Sequence, residues 1–147
     1  DNHAIHTWEL APVKSALQAG LIPLVFGDVV TDLAIGGTIL STEDLFYHLA
    51  LTLKPGRILL AGEEEAVFSE FPHNKQPLSF ISKDAEKTTY LQGSFSLDVT
   101  GGMLSKVQLM QKLCRELPGL QAVIFSGRTP RNLIRILEGK PIGTLIG

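Results

Sequence analysis

In the stretch DVTGGMLSK, residues 98–106, two adjacent glycines come shortly before a lysine. Glycines that open a helix leave backbone N–H groups pointing at one spot, and such a turn accepts a phosphate readily. A helix starting at these glycines places Lys106 in its first turn, where a cation opposes the helix dipole. On a helical wheel the same lysine falls inside the apolar sector, between Leu113 and Leu117. An anion held near the helix start reconciles both placements. A lysine snorkelling from the edge of the apolar stripe is the alternative. The spacing differs from G-x-x-x-x-G-K-[ST], so this is not a P-loop.

Two further loops carry suggestive residues. GDVVTDLAIGGTILSTED, residues 27–44, puts Gly27 and Asp28 directly behind the apolar run LIPLVF and supplies Gly36 and Gly37 for a turn. Ser41 followed three residues later by Asp44 matches a capping box, and Glu43 suits the first turn of a helix, so capping alone is one sufficient reading. GEEEAVF, residues 62–68, places three consecutive glutamates at a predicted strand tip. These read either as a solvated face or as acids that meet ribose hydroxyls or sit near a magnesium ion. His3, His6, His48 and His73 show no metal-ligand spacing with Cys114 or with one another, so no protein metal site is expected. Cys114 lies on an apolar helical stripe and reads as a buried small residue.

The elements that must position these residues alternate between helix and strand. Pro12 and Gly20 bracket a short helix that feeds LIPLVF, read as a buried strand. Leu45, Phe46, Leu49, Ala50 and Leu53 recur at helical spacing from Ser41 until KPG, and the strand RILLAG follows. Met103, Val107, Met110, Cys114 and Leu117 mark a third helix, stopped by Pro118-Gly119 ahead of the strand LQAVIFSG. A fourth helix near 130–137 leads to a terminal strand around GTLIG. Near-continuous apolar strands alternating with amphipathic helices predict an α/β fold, a mostly parallel sheet with helices on both faces. The half-apolar runs VFSEF, PLSFIS and TTYLQGSFSL predict a hairpin insertion near 65–97. In open α/β sheets ligands gather beyond the carboxyl ends of the strands, where all three loops fall.

Bulk properties narrow the classes. A chain of 147 residues with 44% hydrophobic and 19% charged residues can bury one domain-sized core, and a net charge of −2 gives no reason to expect nucleic-acid binding. One cysteine excludes an intrachain disulfide framework, and no apolar run approaches the roughly 20 residues of a membrane span. The chain reads as cytoplasmic, and its opening DNHAIHTWEL, without an initiator Met, is expected to begin mid-protein.

Four stretches resemble the amino acid kinase superfamily, most closely its isopentenyl phosphate kinase branch. GLIPLVFGDVVTD is similar to G-x-x-P-V-x-x-G-D-V-V and ILSTEDLFYHLA to I-L-S-G-D-D-x-x-x-x-L-A. GEEEAVFSEFP is similar to T-D-V-D-G-V-Y-T-x-x-P and DVTGGMLSKV to D-V-T-G-G-M-x-x-K. The closing GKPIGTLI resembles G-x-x-x-G-T-x-I, and the likeness runs from about residue 20 to the end. The resemblance implies a three-layer αβα fold and ATP-dependent phosphorylation of a phosphate or carboxylate acceptor, with magnesium travelling on the nucleotide. Lys106 then corresponds to the lysine that contacts the transferred phosphoryl group, and Glu43 to an aspartate that orients catalytic lysines. Gly101, Gly102, Glu63, Glu65 and Phe68 fall at nucleotide positions, and Gly27, Asp28, Thr42 and Asp44 at acceptor positions.

The departures carry their own expectations. Thr42 replaces a family glycine that lets an acceptor phosphate approach the backbone, Glu43 lengthens an aspartate by one methylene, and Ala66 stands where a glycine is usual. They imply reduced or altered activity. The superfamily's K-x-G-G-S-like segment, its second glycine pair and the branch's acceptor histidine have no counterpart here. Residues 1–147 therefore read as the C-terminal, nucleotide-binding half of a kinase, partnered by an N-terminal half of the same fold, inactive alone and expected to form a homodimer. A uridylate or fosfomycin kinase-like enzyme, or a degenerate nucleotide-binding regulatory module, are the other readings.

Overall fold

The computed structural model describes residues 5–70, 74–86 and 99–147. They divide into two compact units, Asp1–Thr52 and Leu53–Gly147.

The first unit begins with helix α1, Ala11–Gln18, with Pro12 in its opening turn. The Glu9 carboxylate accepts the Ala11 N–H at 2.7 Å and so serves an amide that the helix leaves without a partner. Gly20, at φ +74°, ends the helix. Its N–H reaches the Leu17 carbonyl at 3.0 Å and the Leu21 N–H reaches that of Ala16 at 2.9 Å, the paired bonds of a glycine-terminated helix. Strands β1, Val29–Asp32, and β2, Gly36–Ile39, then form an antiparallel hairpin. The buried Asp32 carboxylate closes its turn, accepting the Ala34 and Ile35 amides at 2.9 and 3.2 Å. Helix α2, Thr42–Leu53, follows and buries Leu45 and Ala50.

LIPLVF is not the buried strand predicted from its composition. Among the described residues it has no ladder partner, and Ile22 and Leu24 are 95% and 91% exposed. An apolar run favours burial, but a central strand also needs neighbours on both sides to satisfy its backbone. Within this unit the hairpin β1–β2 instead lies downstream of that run.

The second unit holds a four-stranded sheet in the order β3-β7-β8-β6. Its strands are β3, Arg57–Gly62, β6, Phe80–Ile81, β7, Gln121–Ser126, and β8, Thr144–Ile146. β3 pairs with β7 and β6 with β8 in parallel, whereas β7 and β8 are antiparallel, so the sheet is mixed but mostly parallel. The reversal has a simple cause. Helix α4, Asn132–Leu137, advances only about 9 Å, too little to carry the chain back along a six-residue strand of about 20 Å. β8 therefore starts at the edge where β7 ended, guided by Gly139 and Gly143 at φ +82° and +72°.

The predicted insertion is present as the antiparallel hairpin of β4, Phe68–Glu70, and β5, Asn74–Pro77. PLSFIS belongs elsewhere than expected, because Phe80–Ile81 joins the main sheet as β6. TTYLQGSFSL lies outside the described residues. Helix α3, Val99–Glu116, packs on β7 and β8 through a fully buried stripe of Val107, Met110, Leu113 and Cys114. Burial pushes the Cys114 thiol above its ordinary value, opposed in part by a backbone contact with Ala122 and by the charges of Lys83 and Arg115. Its Sγ lies 3.6 Å from the Ile146 carbonyl.

Candidate functional site

The candidate residues fall in both units. In the first unit the Ser41–Asp44 capping box is complete. The Asp44 N–H donates to Ser41 Oγ at 3.1 Å, the Ser41 N–H to Asp44 Oδ2 at 3.2 Å, and Ser41 Oγ lies 2.6 Å from that carboxylate. Asp44 is thus committed to starting α2, while Glu43 in the same turn is half-buried and Thr42 exposed. A Cβ on Gly27 would stand 2.3 Å from the Leu40 carbonyl oxygen and 3.2 Å from the Thr42 nitrogen. Only glycine lets these two segments approach so closely, and its missing side chain keeps the first amide of α2 uncovered. Asp28 accepts the Val29 N–H at 2.7 Å, and its carbonyl accepts the Leu40 N–H at 3.0 Å. Its side chain lines a cavity of about 550 Å³ whose walls include Trp8, Leu24, Phe26, Val30 and Leu45.

In the second unit the carboxyl ends of β3 and β7 lie side by side, with Gly62 opposite Ser126. Their loops are clasped. The Gly127 N–H donates to the Gly62 carbonyl at 2.9 Å and Ser126 Oγ to that of Glu63 at 3.1 Å. The Arg128 guanidinium meets the Glu63 carboxylate, both side chains being largely exposed. Asn132, buried, donates to the Ser126 carbonyl at 3.2 Å and anchors the turn from beneath. Glu65 is exposed, whereas Ala66 and Val67 are buried, so the acidic loop dives into the core directly behind its last charge. Phe68 is half-buried at the start of β4.

Helix α3 leads into β7, which runs parallel to β3, so its N-terminus belongs at the same carboxyl edge. Here the expectation for Lys106 needs correcting. The helix begins at Val99, so Gly101 and Gly102 are wound into its first turn and Lys106, the eighth residue, closes the second. The dipole argument for its position therefore fails, since that field acts mainly within the terminal turn. The buried stripe of α3 repays the cost of two helical glycines, about 1 kcal/mol each. The wheel argument holds: Lys106 is half-buried beside Val107 and Met110. Helical side chains lean toward the N-terminus, and a Cβ on Gly102, one turn earlier on that face, would meet nothing within 4 Å.

The sequence reading missed Ser126, Arg128 and Asn132, whose only signal was position after a strand; Thr144 stood in the closing GKPIGTLI match without an assigned role. Among the described residues no cluster of three or more metal-ligating side chains occurs, and no helix is long and apolar enough to cross a membrane.

A family profile described as the amino acid kinase family matches residues 1–126. The isopentenyl phosphate kinase of Methanothermobacter thermautotrophicus is 29% identical over 143 residues, which cover 94% of this chain and 53% of that protein. The glutamate 5-kinase of Symbiobacterium thermophilum is 29% identical over 139 residues, covering 90% and 51%. A solved structure of isopentenyl phosphate kinase superposes with a TM-score of 0.77 at 26% identity, over 99% of this chain and 53% of that one. The chain spans about half the length of these relatives.

Proposed function

From the premise that this chain belongs to the amino acid kinase family, we propose that it is the nucleotide-side half of an ATP-dependent small-molecule kinase of the isopentenyl phosphate type. The observation that carries this reading is the parallel pairing of β3 with β7, which brings the Glu63 and Ser126 loops side by side at one carboxyl edge. Phosphoryl transfer asks mainly for in-line positioning and charge neutralisation, which amide-rich turns and a reaching lysine supply.

In this reading Gly101 and Gly102 let the polyphosphate approach the backbone, and Lys106 neutralises the transferred group. Glu63, Glu65 and Phe68 border the nucleotide. Gly27 and the uncovered start of α2 receive the acceptor's anionic group, beside Asp28, Thr42 and Glu43. Magnesium, a hard cation held largely by substrate phosphates, would arrive on the nucleotide and supply charge neutralisation there, beside the carboxylates of the acidic loop.

The relatives' greater length and the exposed run Leu21–Phe26 support a further part of the proposal. An N-terminal half of the same fold, in the same or another polypeptide, completes the enzyme and covers that run. The test is turnover by the full-length protein with isopentenyl phosphate, fosfomycin, UMP and glutamate as acceptors. Transfer to isopentenyl phosphate is expected. Tight ATP binding without turnover on any acceptor would instead identify a regulatory module.

A further inference from the structure

Thr144 is fully buried, and its hydroxyl is the one polar group linking the C-terminal strand to both mouths of the β4–β5 hairpin in the described contacts. Oγ1 accepts the Val67 N–H at 2.8 Å and donates to the Leu78 carbonyl at 2.6 Å, while the Leu78 N–H closes back on the Val67 carbonyl at 2.8 Å. The hydroxyl thereby satisfies one backbone donor and one backbone acceptor that are shut away from water. Its place is itself fixed. Gly143 holds φ +72°, and a Cβ there would stand 2.0 Å from the Ile124 carbonyl oxygen, so the chain enters β8 along one path only. Because β8 runs back from the carboxyl end of β7, Thr144 lies at that sheet edge, opposite Ile124.

Val67 directly follows Glu63–Ala66, the acidic loop clasped at its other end by Ser126 and Arg128. We propose that Thr144 is a positioning residue: it holds the C-terminal end of the Glu63–Ala66 loop so that the loop presents a fixed edge to the nucleotide. This rests on the kinase reading above and adds to it a residue far from Lys106 in sequence, acting on nucleotide affinity rather than on transfer. Thr144 touches no substrate. Its effect runs through the Val67 amide, whose bond to the buried hydroxyl fixes where the loop's exposed acids stand.

The experiment compares Thr144→Val, Thr144→Ser and Thr144→Cys in the full-length protein, well below their melting temperatures. Valine keeps the shape and leaves the Val67 N–H and Leu78 carbonyl unpaired, serine keeps the hydroxyl, and cysteine offers a weaker donor and acceptor. Expected are a rise in KM for ATP of roughly tenfold or more in the valine protein, an intermediate rise with cysteine and near-normal values with serine. The acceptor KM and kcat should stay within about twofold. Amide exchange across residues 63–70 should quicken in the valine protein, a readout independent of turnover. A folded valine protein with unchanged KM for ATP overturns the proposal, even if loop exchange quickens. Should the valine protein not fold, wild-type KM for ATP in the cysteine protein overturns it, as does a serine protein that fails to rescue. Wild-type protein that neither binds ATP nor turns over removes the kinase reading itself, a result visible before any variant is made.

Discussion

Lys106 and Gly143 show how single positions divide between chemistry and architecture. Lys106 is half-buried on the apolar stripe, yet the core beside it is complete without its ammonium. Lys106→Ala in the full-length protein is expected to keep the melting temperature within a few degrees and to lower kcat at least about 10²-fold, as loss of an electrostatic contact to a transferred group does. Steady-state kinetics beside a thermal melt checks both halves. Gly143→Ala should do the reverse. A methyl group 2.0 Å from the Ile124 oxygen, at φ +72°, has nowhere to go, and a loss of roughly 2–4 kcal/mol in urea unfolding is expected. Cys114 gives a pH dependence. Its folded thiol keeps its proton to higher pH than the unfolded one, so the native state binds more protons once pH passes the ordinary thiol value. Stability should therefore fall as pH rises from about 8 toward 10, and Cys114→Ala should flatten that fall in urea midpoints taken along the series.

At the scale of elements, capping and termination were legible and pairing was not. The Ser41–Asp44 box could be read from two residues because its bonds span three positions of one chain. Ser41→Ala is expected to remove about 1 kcal/mol, measurable as a shift in urea midpoint, and activity should suffer through Glu43 and Thr42 in the same turn. Gly20 and Pro118-Gly119 were equally readable as stops, since a positive φ is written into glycine. The start of α3 was not. Gly101 and Gly102 look like a loop to any local rule, and only the burial of Val107, Met110, Leu113 and Cys114 extends the helix through them. The direction of β8 was hidden for a similar reason: it depends on the length of α4 measured against β7, a comparison between elements rather than a property of either. The candidate residues on the acidic loop were found by motif. Their supports Ser126 and Thr144 act through contacts across 63 and 77 positions, so even Thr144, inside the closing GKPIGTLI match, had no role legible in the sequence.

For the whole molecule, the exposed run Leu21–Phe26 and the half-length match to relatives lead to one expectation. The 147-residue chain on its own should show no transfer activity and should bind a hydrophobic dye strongly, and the full-length protein should do the opposite. Strong turnover by the isolated chain would refute the split. Order within the second unit has a consequence of another kind. β8 is the last of the four strands to be synthesised, yet it occupies an interior place between β7 and β6. Until Thr144–Ile146 leaves the ribosome, β6 has no neighbour in that ladder and the hairpin mouth has no buried hydroxyl to close on. This unit must therefore wait for its final strand before it can fold, and a premature stop only a few codons upstream would leave a nascent chain fit for proteolysis rather than a shortened enzyme.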